Sequence, residues 1–147
     1  MDEVTCVEKF IAVVDHTHQI RQTLTAQTRT TAGLTVPQAV ALCHLERGGG
    51  HLTITELATA VSRANHTVTA LVDVLEKRGL AKRRRDHGLD RRVVWVQITP
   101  AGLARLRAYR DGAATIIQPL LADGTSIEEL GAYLDRLLQL LARLSQR

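Results

Sequence analysis

Residues 53–98 hold the pattern that most restricts this chain: two short helices, a tight turn between them, then two extended segments around a charged tip. Thr53-Ile54-Thr55-Glu56 reads as a capping box, in which Thr53 and Glu56 satisfy each other's exposed backbone donors, and a short helix runs on to about Val61. A second helix is expected from Asn65 to Arg78, with Val68, Leu71, Val72 and Leu75 as its buried stripe and Gly79 closing it. Helix, turn and helix in this order form a helix-turn-helix. Ala81 to Arg85 and Val93 to Ile98 have extended character, the second alternating Val94, Val96 and Ile98 against Val93, Trp95 and Gln97. RRRDHGLDRR, residues 83–92, is then the tip of a β-hairpin carrying five arginines and two aspartates.

A helix-turn-helix followed by a basic hairpin is a winged helix. The arrangement suits double-stranded DNA, because a helix fits the major groove and an arginine at a hairpin tip can enter the minor groove. Charge agrees with this. From Ser62 to Arg92 there are nine Lys/Arg against four Asp/Glu, whereas the rest of the chain holds ten against eleven. A local basic patch on an otherwise balanced chain is the electrostatic footprint of polyanion binding.

Helices flank the motif on both sides. Val7, Phe10, Ile11, Val14, Ile20 and Leu24 give a first helix over residues 5–29. Thr35-Val36-Pro37 starts another, which reaches about Glu46 and is ended by Gly48, Gly49 and Gly50. Thr99-Pro100 opens a helix that Pro119 bends or ends. Ser126 to Glu129 caps the last one, where Ile127, Leu130, Leu134, Leu137, Leu141 and Leu144 recur in steps of three and four, the period of a helix-pairing seam. The fold class expected is mainly α with a small β-hairpin wing. One domain is expected over residues 1–147: dimerisation helices at about 5–29 and 100–147, and a winged helix-turn-helix core at about 35–99.

Other classes find little footing. There is no phosphate loop, no Gly-x-Ser-x-Gly elbow and no paired acid and base, so the chain reads as no enzyme and needs no cofactor. The start MDEVTCVEKF lacks a signal peptide's basic and apolar regions, and no stretch has the apolar length of a membrane span, which predicts a cytoplasmic protein. Cys6 and Cys43 are too few for a disulfide scaffold. A metal site of His16, His18, Cys43 and His44 lacks the i, i+4 pair of a helical zinc motif, so no metal is expected.

From Leu34 to Gly102 the chain resembles the MarR family of transcriptional regulators. The residues that carry the resemblance are Thr35 and Gln38, Thr53-Ile54-Thr55-Glu56-Leu57-Ala58, Thr67-Val68-Thr69, Leu75-Glu76-Lys77-Arg78-Gly79-Leu80, Asp90-Arg91-Arg92 and Ile98-Thr99-Pro100-Ala101-Gly102. The resemblance implies a homodimeric repressor on a palindromic operator, released by a small aromatic or lipophilic effector. It maps the family's wing-tip Asp-x-Arg onto Asp90 and Arg92, the arginine entering the minor groove and the aspartate holding it.

Asn65, His66, Thr67 and Thr69, at the start of the recognition helix, are the candidates for base edges and nearby phosphate. Arg63, Lys77, Arg83, Arg84 and Arg85 are candidates for phosphate. An effector between the dimerisation helices and the DNA-binding lobe, where the family commonly binds one, would be oriented by His16, His18, Gln38 and His44. Alternative readings are a constitutive or redox-responsive DNA-binding regulator, or an RNA-binding or protein-docking winged helix. The family's redox-sensing cysteine position falls at Ile11, with no tyrosine nearby, which gives thiol sensing no support.

Overall fold

The computed structural model describes residues 2–85 and 93–145, of which Ser145 is placed by its backbone alone. The chain forms two compact units, Met1–Ala113 and Ala114–Arg147. The first holds α1 (Glu3–Thr31), α2 (Val36–Arg47), β1 (His51–Thr53), α3 (Ile54–Ala60), α4 (Asn65–Lys77), β2 (Ala81–Arg85), β3 (Val94–Ile98) and the beginning of α5 (Pro100–Ala122). The second holds the end of α5 and α6 (Ile127–Ser145). The architecture is mainly helical with a small antiparallel sheet, the winged-helix class expected of the sequence.

Side chains decide where the helices begin. Thr35 accepts from the Gln38 N–H at 3.4 Å while the Gln38 side chain accepts from the Thr35 N–H at 3.1 Å. Thr53 and Glu56 repeat the reciprocal pair at 3.1 and 2.8 Å. Each box satisfies donors that the first helical turn leaves unpaired. At the other end of α2, Gly49 and Gly50 take φ of 78° and 92°, a left-handed backbone that favours glycine, and turn the chain back into β1.

The sheet order is β1-β3-β2 with both pairings antiparallel. β1 lies where the sequence shows only a loop and a cap. Its three residues have no pattern of their own, and pairing with β3, Leu52 opposite Val96, makes them a strand. The helix begun at Pro100 passes through Pro119 to Ala122, so the proline removes one donor without ending it.

The core of the first unit is aliphatic. Leu42, Leu45, Leu57, Val68, Val72, Leu75, Val96 and Leu106 are all withdrawn from water, so α2, α3, α4, β3 and α5 share one apolar interior. α1 buries only Thr28, and Val7, Phe10, Ile11, Val14 and Ile20 stay exposed along it. In the second unit, Ser126 and Glu129 cap α6 reciprocally at 3.1 and 3.0 Å. Along its seam Ile127, Leu134, Leu141 and Leu144 are exposed, and Leu130 and Leu137 are only half-covered.

One junction ties α5 to the turn after the recognition helix. The Thr99 hydroxyl donates to the Gly79 carbonyl at 2.6 Å and accepts from the Gly102 N–H at 3.0 Å, and the Thr99 N–H donates to the Leu80 carbonyl at 3.1 Å. The helix then passes so near that turn that a Cβ on Gly102 would stand 2.1 Å from the Leu80 carbonyl oxygen. Gly102→Ala should therefore destabilise the protein by about 3 kcal/mol, the upper part of the usual overpacking range. Urea unfolding checks this, and an unchanged midpoint would show that the junction can open at little cost.

Candidate nucleic-acid interface

The buried stripe of α4 dictates what its other sides present. With Val68, Val72 and Leu75 inward, Asn65, His66, Thr67 and Thr69 are exposed around its first two turns, with Arg63 exposed just before them. Ala64 is the N-cap and offers no side-chain hydrogen bond to the first turn. The positive end of the helix dipole thus lies beside exposed polar side chains, an arrangement that favours phosphate. Lys77 is exposed at the opposite end of the helix.

The wing strand divides its basic residues by alternation. Lys82 and Arg84 point to the outer face, where Arg84 donates to the Gln97 side chain at 3.4 Å, while Ala81 is buried on the inner face. Arg85 is exposed at the end of β2. Arg83 is half-buried against α4. Its Nη2 lies 2.6 Å from Asp73 and donates to the Thr69 carbonyl at 3.1 Å, and its Nη1 donates to Glu76 at 2.8 Å. Arg83, expected on a phosphate, is turned inward by its register and pairs with two carboxylates within the protein. Burial works against its charge, but Asp73 and Glu76 outweigh that and raise its pKa. Glu76 is held below its ordinary value, chiefly by the Arg83 backbone N–H. Asp90 and Arg92 lie outside the described residues.

The residues expected to orient an effector do not come together. His16 contacts the Ala12 carbonyl and His18 the Gln22 side chain, both on the exposed length of α1. Gln38 is buried, completes the α2 capping box and accepts from Arg78 at 3.0 Å. His44 is half-buried, and burial lowers its pKa, assisted by Arg47. Cys43 accepts from Arg110 at 3.7 Å, and the same guanidinium is paired with Glu46.

A groove of about 460 Å³ lies elsewhere, between α2, α4 and one residue of α1. Val36, Pro37, Val40, Leu71 and Val74 make it apolar, and Arg21, Arg63 and Thr67 also line it. The sequence holds a signal for it: Val40 and Val74 stand off the buried stripes of their helices and are exposed.

Residues 32–93 match the sequence profile of the MarR family. The winged-helix core is thus similar to the MarR family in sequence. Solved structures extend the likeness over the whole chain. A MepR-like protein complexed with pseudoligands is 26% identical, covers 95% of this chain and 93% of its own, and superposes with a TM-score of 0.76. A MarR family protein from Bacillus stearothermophilus is 27% identical over 100% and 99% of the two chains, with a TM-score of 0.71. An organohalide-sensing transcriptional regulator in its 2,4-dichlorophenol-bound form shares the fold at 19% identity, covering 99% and 83%, with a TM-score of 0.78. A comparison with curated protein sequences finds no significant match. MarR family members are transcriptional regulators rather than enzymes, and the chain has that DNA-binding regulator fold. Among the described residues, no helix is long and apolar enough to cross a membrane.

Gln38 matches the MarR pattern and is held by contacts within the protein. Gln38→Ala should cost about 2 kcal/mol, combining the loss of a cap with that of a hydrogen bond to a charged donor. His16→Ala should stay within about 0.5 kcal/mol of wild type. Urea denaturation of both variants measures the contrast, and equal effects would contradict the structural role of Gln38.

Proposed function

We propose that the whole chain acts as a single MarR-type domain, residues 1–147, and works in the cytoplasm as a homodimeric repressor on a palindromic DNA operator. The observation that carries this reading is α4 itself: an uncapped start, exposed Asn65, His66, Thr67 and Thr69, and a basic strand packed along its side. In the proposal, these four residues meet base edges and nearby phosphate in the major groove, and Arg63, Lys77, Arg84 and Arg85 meet phosphate. Arg92 enters the minor groove and Asp90 orients it, roles that rest on the family resemblance.

Pairing rests on uncovered apolar surface. Exposed Phe10, Ile11 and Val14 on α1, and exposed Ile127, Leu134 and Leu144 on α6, are the kind of stripes that a second copy hides. Two copies on a two-fold axis match half-sites about one helical turn apart.

Release by an effector rests on the groove beside α4. Its apolar lining with Arg21 and Arg63 suits a small aromatic or lipophilic molecule with a polar end, and a relative with this fold is described as bound to 2,4-dichlorophenol. Because Arg63 and Thr67 line the groove and are also DNA candidates, ligand and operator would compete for them and antagonise each other reciprocally.

Selection from random duplex DNA tests the reading. A palindrome with half-sites about 10 base pairs apart should be enriched. Leu137→Asp should weaken both the dimer, followed by sedimentation, and operator binding. No enrichment would refute DNA recognition, and a wild-type monomer at micromolar concentration would refute the paired reading.

A further inference from the structure

We infer that Arg83 is a positioning residue that fixes the wing to the recognition helix and thereby sets DNA specificity; this rests on the proposed DNA-binding reading. Thr69, Asp73 and Glu76 follow one another along a single flank of α4, at steps of four and three. Arg83 engages all three: the Thr69 carbonyl, the Asp73 carboxylate and the Glu76 carboxylate. Glu76 also accepts the Arg83 backbone N–H at 2.9 Å, so one carboxylate holds both the main chain and the side chain of the strand residue.

The clamp acts on direction more than on stability. α4, β2 and the turn between them already share the core through Val72, Leu75, Leu80 and Ala81, so the fold does not hang on three partly exposed polar contacts. On this inference, what the clamp adds to the core is control of the angle at which β2 runs along the helix flank. A β-strand advances about 3.3 Å per residue, so a small rotation at Arg83 grows along the hairpin toward the segment that joins β2 to β3. A planar guanidinium with its donors in a fixed fork suits three acceptors at once, whereas a lysine ammonium is a point charge on a flexible stem.

Sign separates this role from that of a phosphate ligand. Asp73 and Glu76 are acidic, and on a DNA-facing helix their charges alone repel the duplex. If repulsion were their whole effect, neutralising them would tighten binding to every sequence. As anchors of Arg83, they should do the reverse for the operator alone.

The test uses the full chain, with the duplex enriched by selection and a scrambled duplex, each titrated at several salt concentrations. Glu76→Gln and Asp73→Asn should each lower operator affinity about tenfold, within the range for one misplaced base contact, without weakening the scrambled complex or changing the salt slope. Arg83→Ala should do the same, and Arg83→Lys should fail to restore the operator affinity. Thermal melts establish that each variant is folded, and the isosteric Glu76→Gln carries the test if Arg83→Ala is not. The inference is overturned if Glu76→Gln tightens both duplexes alike, or if the variants match wild type. It is also overturned if Arg83→Ala weakens both duplexes equally and flattens the slope by about 0.9 log units for each phosphate no longer neutralised, with Lys restoring it. If the wild-type protein does not distinguish operator from scrambled duplex, the DNA-binding reading itself fails and takes the inference with it.

Discussion

Val68, Val72 and Leu75 are wholly withdrawn from water, and the direction in which they face assigns a task to every other side of α4. Burying side chains of this size is worth roughly 1.5–3 kcal/mol each, far more than any polar contact on the helix surface. With that stripe fixed, Thr67, Leu71 and Val74 line the apolar groove on one flank. Thr69, Asp73 and Glu76 meet the wing strand on another. Asn65 and His66 are left exposed at the start.

The same economy runs through the wing. Adjacent arginines in β2 have different environments because strand alternation sends their side chains to opposite faces. Arg84 lies on the outer face beside Gln97, while Arg83 is drawn onto α4. The Thr99 junction, with Gly102 almost touching the Leu80 carbonyl, then ties the turn after α4 to the start of α5. The residues by which the chain resembles the MarR family in this stretch include this joint.

Much of this is legible in the sequence, because it depends on local chemistry. The Thr53–Glu56 box and the Ser126–Glu129 cap are short-range patterns that the structure places as expected, and of the expected α4 stripe Val68, Val72 and Leu75 are buried while Leu71 is half-buried at the groove. β1 is hidden, since its three residues become a strand only through pairing with β3. The pairing of Arg83 with α4 is not evident from charge alone. Its signal is that strand alternation puts Arg83 on the face of the buried Ala81, set against acidic residues three apart on the preceding helix. The groove escapes a reading that follows histidines, because its lining is mostly aliphatic and is assembled from three helices. Asp90 and Arg92 lie outside the described residues, so their roles rest on the resemblance.

Hydroxyl-radical footprinting on a duplex obtained by selection shows whether α4 and its wing read duplex DNA as a symmetric pair. Two equivalent protected patches are expected, with centres about one helical turn apart and flanking minor-groove protection where the wings reach. A single unpaired patch, or uniform protection that does not depend on sequence, would contradict that reading.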